Sequence, residues 1–329
     1  MLTTTQNDPS AAAPVGIAPS GHRLPAATRL GRVRLQVADL ERSLAWYQRV
    51  LGMRVLDRQA VEATLGAHGD DEPLVVLRER RGARPVPPRG RLGLYHYALL
   101  LPDRPALGAF LLHLATSGER AGASDHLVSE ALYLNDPDGL GIEVYADRPR
   151  DAWQVQDREI SMSTVPLDAQ GLAVAARTTV WNGMPAGTRV GHVHLHVGDI
   201  AAADAFYHQG LGFDRVVWSY PGALFLSAGG YHHHLGLNTW AAHSPAATED
   251  DARLLDWEIA LPDRAAVEAT AASLRATVAA ACGVEPDGDV CGVGHASRPV
   301  VSARHYTAKG RRPWPEAPVT LRPQPWPSP

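Results

Sequence analysis

The feature of this sequence that most constrains its fold is an internal repeat. Residues 33–39 (Val-Arg-Leu-Gln-Val-Ala-Asp) recur as residues 193–199 (Val-His-Leu-His-Val-Gly-Asp), shifted by 160 positions. At the same shift, residues 101–104 recur unchanged as residues 261–264. Self-similarity at a fixed spacing is typical of a chain built from repeated structural units. The chain therefore consists of two homologous halves.

Each half divides again into two modules. A shift of 64 positions carries the alternating apolar residues of 33–39 onto those of 97–103, and Asp199 onto Asp263. The sequence thus contains four modules, each opening with an alternating run that ends at an aspartate. Alternation of apolar residues predicts a strand with one buried face. The aspartate predicts the start of a helix, because its carboxylate accepts the free amide hydrogens of the first helical turn.

Further β-like runs follow the predicted helices, at residues 74–77, 132–134 and 224–227. Each module is therefore expected to have the element order βαβββ. The curved sheet of a single module leaves its concave face without a partner, so the modules should pair. The predicted fold class is α+β, with four βαβββ modules that form two open barrels and with the fourth module incomplete.

The chain is predicted to divide into five segments. Residues 1–28 are rich in Ala, Pro, Thr and Ser and predict a disordered N-terminal tail. The modules occupy residues 29–148 and 189–296, on either side of a linker at 149–188. Residues 297–329 are dense in Arg and Pro, which suits a strand badly and predicts a disordered tail or the product of a shifted reading frame. This ending is the reason for expecting an incomplete fourth module.

The composition of the 329 residues excludes several classes of protein. A net charge of -4 gives no electrostatic basis for binding nucleic acid. No apolar run approaches the ~20 residues that cross a bilayer, which excludes an integral membrane protein. The two cysteines lack a CxxC arrangement, so we expect no disulfide framework, no thiolate zinc site and a cytoplasmic location. A Gly-x-Ser-x-Gly nucleophile elbow and a phosphate-binding loop are also absent.

The four modules differ at one equivalent position, seven residues before the capping aspartate, where the opening strand begins. The modules carry Arg32, His96, His192 and Asp256 there, so only the two middle modules offer an imidazole. The second module also places Glu143 in its closing strand, where a carboxylate is out of place unless it is paired or ligating. Internal symmetry puts these groups at module ends, and we therefore interpret His96, Glu143 and His192 as metal ligands.

Histidines are concentrated in the third module. Three of them alternate along its opening strand and should share a face: His192, His194 and His196. Residues 231–237 are interpreted as its closing strand, which would place His232 and His234 on one face and His233 on the other. Imidazoles grouped with a carboxylate are suited to a first-row metal. Seven other histidines are better explained as hydrogen-bonded core or surface residues: His22, His68, His113, His208, His243, His295 and His305.

The run from His192 to Asp199, followed by residues 206–213, resembles the vicinal oxygen chelate superfamily. That superfamily holds glyoxalase I, fosfomycin and bleomycin resistance proteins, and type I extradiol dioxygenases. The resemblance covers roughly residues 28–282 and implies glyoxalase-like barrels, with one two-module domain at 29–148 and a second at 189–296. Four further stretches are similar to one branch, the two-domain catechol 2,3-dioxygenase-like proteins: residues 94–98, 129–133, 141–148 and 227–238.

In that superfamily, metal ligands come from the first and last strands of two paired modules. The resemblance implies ligands at His96, Glu143 and His192, and a further ligand among the three consecutive histidines, for which we take His234. The conventional pairing of module one with two and of three with four would split these ligands between two incomplete sites. Pairing module two with module three would bring them together. We favour the second arrangement, with the conventional pairing as its rival.

The resemblance implies an extradiol ring-cleaving dioxygenase that acts on a small catechol-type diol with dioxygen, in aromatic compound degradation. It implies Fe(II), with Mn(II), Zn(II) or Ni(II) as alternatives. The candidate acid or base groups are His194, His126 and Tyr231. Two other functions stay open, namely a glyoxalase-type metal-dependent lyase, isomerase or transferase, and a non-catalytic binding protein of the bleomycin resistance kind. The sequence also leaves open whether the chain forms a homo-oligomer.

Overall fold

The computed structural model describes residues 15–282, 298–305, 312–313 and 319–320. The predicted α+β class and the repeated modules are confirmed. The first module comprises β1 (Arg29–Val37), α1 (Leu40–Arg49), β2 (Arg54–Arg58), β3 (Glu62–Gly66) and β4 (Pro73–Glu79). The second comprises β5 (Gly93–Leu100), α2 (Arg104–Ser117), β6 (Gly122–Asp125), β7 (Ser129–Asn135) and β8 (Gly141–Asp147).

The two halves are joined by a segment with short elements of its own: a 3₁₀-helix (Arg150–Ala152), β9 (Val155–Gln156), β10 (Glu159–Ile160) and α3 (Ala169–Ala175). The third module comprises β11 (Arg189–His196), α4 (Ile200–Asp204), a π-helix that continues it (Ala205–Gly210), β12 (Asp214–Val217), β13 (Ala223–Ser227) and β14 (Leu235–Asn238). The fourth comprises β15 (Arg253–Leu261), α5 (Arg264–Cys282), β16 (Arg298–His305), β17 (Arg312–Pro313) and β18 (Val319–Thr320).

The four repeated aspartates cap the helices as predicted. Each carboxylate accepts the backbone N–H three residues further on, which satisfies one of the free donors of the first turn. These bonds run from Arg42 to Asp39 at 2.9 Å, from Ala106 to Asp103 at 2.8 Å, from Ala202 to Asp199 at 2.7 Å and from Ala266 to Asp263 at 2.8 Å. Helix α2 ends at Gly118, whose φ of 76° is the left-handed conformation that glycine adopts without steric cost.

Two curved sheets each join modules from opposite halves of the chain. One has the strand order β17-β16-β15-β1-β4-β3-β2, with β18 paired to β16. The other has the order β12-β13-β14-β11-β5-β8-β7-β6. The opening strands meet antiparallel at both centres, where β1 pairs with β15 and β5 pairs with β11. The pairing of the second module with the third is therefore confirmed, and the rival pairing is wrong.

Alternation along the opening strands separates the core from the site. The odd-numbered residues of the opening strands enter one continuous apolar core with the helices: Val33, Leu35, Val37, Tyr97, Leu99, Leu101, Val193, Leu195 and Val197. The even-numbered residues face the other side of the sheet, because successive side chains of a strand point in opposite directions. In the second sheet this opposite face carries His96, His192, His194 and His196, all of them buried.

Several stretches outside the modules pack against them. Leu24 is buried, and its N–H donates to the carbonyl of Gly212 at 2.8 Å, while Arg23 makes a two-pronged bond to Asp214. The described part of the predicted N-terminal tail thus lies on the third module. In the stretch predicted as a C-terminal tail, β16 pairs in parallel with β15. The domain boundaries stay a prediction, and much of the fourth module's ending lies outside the described residues.

Within the described part of the chain, no helix has the length and apolar character needed to cross a bilayer.

Candidate metal centre

Three neighbouring strands of the second sheet bring His96, Glu143 and His192 together. His96 lies on β5, His192 on the antiparallel β11, and Glu143 on β8, which runs parallel to β5 on its other side. Tyr97 is paired with Ile142 and with Val193, so the residues next to these three positions sit side by side across the sheet. The site is therefore a product of sheet register, and it needs both halves of the chain.

The ligand atoms of the three side chains converge on one point. Oε2 of Glu143 lies 3.0 Å from Nε2 of His96 and 3.0 Å from Nε2 of His192. All three ligand atoms lie within 4.8 Å of one another, and all three residues are buried. Among the described residues, these three form the group of converging His, Cys, Asp or Glu side chains that could hold a metal ion. Two imidazoles and one carboxylate at this separation can converge on one ion at ~2.0–2.2 Å.

The electrostatics of the site put each ligand in the protonation state that metal binding requires. Burial disfavours the charge of Glu143, yet the imidazoles of His192 and His96 hold the pKa of that carboxyl well below its usual range. Burial lowers the pKa of His96 and of His192, and the neighbouring Glu143 offsets part of that effect. The carboxylate is thus ionised and the imidazoles are neutral, as metal ligands must be.

One of the three ligand atoms has no other evident partner. Nε2 of His96 is buried and makes no hydrogen bond, because its 3.0 Å approach to Glu143 lacks hydrogen-bond geometry. A buried ring nitrogen without a partner is costly, and a metal ion in the space between the three side chains would satisfy it. The residues present therefore fit a divalent first-row metal held by two histidines and one carboxylate.

The third module provides no counterpart to Glu143, and the register explains why. In the second module, Ile142 is paired with Tyr97 of the opening strand, and Glu143 is the next residue. In the third module, Leu235 is paired with Val193 of the opening strand in the same way. The residue after Leu235 is Gly236. A Cβ at Gly236 would lie 2.7 Å from the imidazole ring of His194, so this ring already fills the space of a fourth side chain. The candidate site accordingly offers three protein ligands, His96, Glu143 and His192.

The run of three histidines is not a strand. Strand β14 begins at Leu235, and the preceding residues form a turn, so the expected alternation does not apply to them. The structure places His234 away from the ligand group, with its Nδ1 bonded to Oγ of Ser227 at 3.0 Å. Burial lowers the pKa of His234 to about 3, which keeps this ring neutral in the core. His233, expected to point away, has its ring centre 4.0 Å from that of His192.

A cavity of about 200 Å³ opens beside the ligand group. Its wall is mostly aromatic and includes both His96 and Glu143. Its mouth is marked by Tyr95 and Trp240, which are partly exposed and lie edge to face with ring centres 5.6 Å apart. The remaining lining residues are Ser124, His126, Tyr133, Met162, Ser163, Thr164, His194, Tyr220, Phe225 and His233.

Two of the three residues predicted as acid or base groups line this cavity. Nε2 of His194 accepts a 2.9 Å hydrogen bond from the amide of Asn238. Nδ1 of His126 donates to the carbonyl of Ser163 at 2.8 Å, which leaves Nε2 as an acceptor. Tyr133 donates its hydroxyl proton to that Nε2 at 2.6 Å. Both ring nitrogens of His126 are therefore occupied by hydrogen bonds. The polar group next to His126 that the cavity offers to a substrate is the phenol of Tyr133.

The third predicted residue, Tyr231, lies behind the cavity wall. Its hydroxyl donates to Asp147 at 3.1 Å and accepts from Tyr145 at 2.7 Å. Asp147 also accepts from Nε2 of His232 at 2.8 Å. Tyr231 thus belongs to a hydrogen-bonded group that supports His232, and it is not among the residues that line the cavity.

Most of the cavity lining could not be predicted from the sequence, and His233 and Tyr133 are the two such residues that face the chemistry of the site. Tyr133 is paired directly with Glu143 across β7 and β8, a position that the strand pairing of the second module could have indicated. The expectation that His233 points away from the site is wrong, because the residues before β14 form a turn and not a strand. The glycines at 229 and 230, with φ of 64° and 66°, are the local signal that the chain turns there.

Comparisons with known proteins agree with this architecture. The model of the family described as "Glyoxalase/Bleomycin resistance protein/Dioxygenase superfamily" matches residues 29–144 and 189–295. A Bacillus subtilis (strain 168) protein named catechol-2,3-dioxygenase is 47% identical over 234 residues, which cover 70% of this chain and 81% of that protein.

Solved structures were also compared. Glyoxalase I from Zea mays is 16% identical, with a TM-score of 0.48, over 91% of this chain and 90% of that one. A structure from Bacillus subtilis subsp. subtilis strain 168, provisionally named a dioxygenase, has a TM-score of 0.50 at 12% identity and covers 74% of this chain and 73% of that one. The last likeness supports the fold alone. The family model and the 47% identical relative together show that this chain belongs to the glyoxalase/bleomycin resistance protein/dioxygenase superfamily.

Proposed function

We propose that this protein is an extradiol ring-cleaving dioxygenase that acts on a catechol-type aromatic diol. The observation that carries the proposal is the ligand group itself: His96, His192 and Glu143 on one side of a point that faces an aromatic cavity. Two histidines and one carboxylate with open positions are typical of non-haem Fe(II) oxygenases. The similarity to a protein named catechol-2,3-dioxygenase supports the same chemistry.

The reaction consumes one dioxygen for each diol. The carbon–carbon bond next to the two hydroxyl groups breaks, both atoms of dioxygen enter the product, and no external reductant is needed. When bound, Fe(II) would hold the diol and dioxygen together and pass electrons from the diol to dioxygen, so that oxidation of the diol balances reduction of dioxygen. The cavity of about 200 Å³ gives one aromatic ring room beside the ligand group, and five Phe, Tyr and Trp side chains in its wall can pack against that ring.

A catechol must lose a proton when it binds, and His233 is placed to accept it. Asp147 accepts from Nε2–H of His232 at 2.8 Å, so Nδ1 of His232 has a free lone pair. That Nδ1 accepts from Nδ1–H of His233 at 2.8 Å. The remaining nitrogen of His233, Nε2, is therefore unprotonated. Burial, with the neighbouring His192 and His232, holds the pKa of His233 well below its usual value, so the ring is neutral.

Tyr133 is the second group placed to act on the substrate. Burial and the nearby Glu143 hold the pKa of Tyr133 well above its usual value, so the phenol keeps its proton. Its hydroxyl is oriented by Nε2 of His126 and lies opposite Glu143 across the sheet. We assign His233 the role of proton acceptor and Tyr133 the role of a polar contact that orients the bound diol.

The test is oxygen consumption by iron-loaded protein. Protein purified without oxygen and loaded with Fe(II) should consume one equivalent of dioxygen per catechol and form a yellow ring-cleavage product. The matched control is the same protein loaded with Zn(II), which occupies N/O ligands but has no redox chemistry, and it should consume no oxygen. Absence of oxygen uptake by the iron form, or thiol-dependent turnover with another metal, would contradict the proposal.

A further inference from the structure

A second and larger cavity lies beside the one at the metal centre. It has a volume of about 680 Å³, and it shares Met162, Ser163, Thr164 and Tyr220 with the inner cavity. These four residues therefore form the wall between the two cavities. The proposed ring-cleaving function makes no use of the outer cavity, because a single catechol ring fits within the inner one.

The wall between the cavities contains an exposed hydrogen bond. The hydroxyls of Thr164 and Tyr220 lie 3.0 Å apart, and Thr164 is exposed. A hydrogen bond between two neutral groups at the surface contributes little net stability, because water replaces either partner. A substituent on the aromatic ring can therefore replace this hydrogen bond at little cost in stability.

The outer cavity has an acidic and polar lining. Asp157 and Glu159 are its charged residues among the described lining positions, and no arginine or lysine is among them. Oε1 of Glu159 is fixed by the backbone N–H groups of Trp218 and Ser219, each at 2.6 Å. Asp157 is exposed, in the two-residue turn between β9 and β10. The remaining polar groups are neutral: Gln156, Ser161, Ser163, Thr164, Ser219 and Tyr220.

We propose that the outer cavity binds a positively charged side chain of the aromatic substrate, and that Asp157 and Glu159 select against anionic side chains. The proposal rests on the proposed ring-cleaving function. The preferred substrate is then a catechol with a polar, cationic arm of a few atoms, whose diol occupies the inner cavity while its arm passes Thr164 and Tyr220. Opposite charges at close range attract, and a carboxylate arm would meet two like charges.

Three catechols whose two-carbon arm ends in a neutral, a cationic or an anionic group provide the test. They are 4-ethylcatechol, 3,4-dihydroxyphenethylamine and 3-(3,4-dihydroxyphenyl)propionate, whose arms are neutral, cationic and anionic at pH 7. The iron-loaded protein should show a kcat/KM at least fivefold higher for the amine than for the propionate, with 4-ethylcatechol between them. Equal values, or a preference for the propionate, would overturn the proposal.

Variants locate the selectivity. Asp157→Asn removes one charge, and asparagine tolerates the left-handed backbone of residue 157, whose φ is 50°. This variant should lower the ratio of kcat/KM for the amine to kcat/KM for the propionate at least threefold. The matched control is Asp71→Asn, which makes the same change in net charge at a 97% exposed side chain between β3 and β4. An equal effect of both variants would show a long-range charge effect and overturn the assignment.

Unsubstituted catechol separates this inference from the proposed function. If catechol is cleaved but the charge series shows no preference, the outer cavity assignment fails and the ring-cleaving function stands. If no catechol is cleaved, the ring-cleaving function fails. In that case calorimetric titration of the three compounds into the protein decides the inference, which requires a lower Kd for the amine that rises in Asp157→Asn.

Discussion

At the scale of single residues, the site depends on which nitrogen of an imidazole carries the proton. His233 presents an unprotonated Nε2 only because His232 accepts from its Nδ1, and His232 can accept only because Asp147 takes the proton on the far side. Asp147 is a quarter exposed, while His232 is fully buried. A surface carboxylate thus determines the tautomer of a ring at the metal centre.

This chain of bonds gives a prediction for two variants. His233→Gln should lower kcat for catechol about 10²- to 10⁴-fold while the protein keeps its metal, because the proton acceptor is lost but no ligand is. Asp147→Asn should also lower kcat, but by a smaller factor. Asparagine can donate to Nε2 of His232, which would then donate from Nδ1 to His233 and leave the proton of His233 on its Nε2. Steady-state kinetics with iron content measured on the same samples checks both.

The matched control for this prediction is His243→Gln, which changes an exposed histidine outside the cavity lining. Its kcat should equal that of the unchanged protein. If Asp147→Asn instead kept full kcat, the hydrogen bonds through His232 would have no part in catalysis.

The residue scale also shows what the sequence could and could not predict. His96, Glu143 and His192 were recognisable because the repeat places them at equivalent module ends, and a repeat is visible without a structure. His233 was not recognisable, because its direction depends on a turn before β14 that has no strand periodicity. The pairing of Gly236 with His194 could not be predicted either, because it depends on the length of the loop before β14.

At the scale of elements, the turn between β7 and β8 holds a buried acid. Asp136 accepts the N–H groups of Asp138 and Leu140, each at 2.9 Å, and is contacted by the hydroxyl of Tyr47. Burial raises the pKa of Asp136 to about 7, and the nearby Asp138 adds to that effect. The turn positions the start of β8, the strand that carries Glu143.

The raised pKa predicts a pH dependence of stability. Asp136 holds a proton more tightly in the folded protein than in the unfolded chain, where its pKa is 3.8. Its contribution to stability is therefore fully present below about pH 4 and is lost as the pH rises to about 7. The full shift corresponds to a loss of up to about 4 kcal/mol. Asp136→Asn cannot titrate and should remove this part of the pH dependence.

Urea denaturation at several values between pH 5 and pH 8 measures the effect. The difference in unfolding free energy between Asp136→Asn and the unchanged protein should grow in favour of the variant as the pH rises. Asp71→Asn, at an exposed position, should leave the slope unchanged. A difference that stays constant with pH would contradict the raised pKa.

At the scale of the whole molecule, the two sheets are related by the repeat but differ in their chemistry. In the sheet of the first and fourth modules, the central position holds an ion pair, in which Arg34 contacts Glu62 at 2.7 Å and Asp256 at 3.6 Å. Arg32 and Asp256 stand where the other sheet has its histidines. An arginine among carboxylates supplies positive charge in this sheet, whereas the other sheet has its candidate metal ligands there.

This asymmetry predicts one metal ion per chain. Elemental analysis of protein loaded with Fe(II) without oxygen should give one iron for each 35.3 kDa chain. His192→Ala should bind almost none, because it removes one of the three candidate ligands. His243→Ala, with a melting temperature measured beside it, serves as the control and should keep one. Two ions per chain would show that the sheet with the ion pair also binds metal.

Because each sheet joins modules from opposite halves of the chain, the two halves depend on each other. His96 and Glu143 precede the connecting segment, and His192 follows it, so neither half by itself assembles the three ligands. Each half also contributes strands to both sheets. A cut in the connection between the halves would therefore leave two fragments interleaved through two sheets. Loss of either half would therefore remove part of the candidate metal centre.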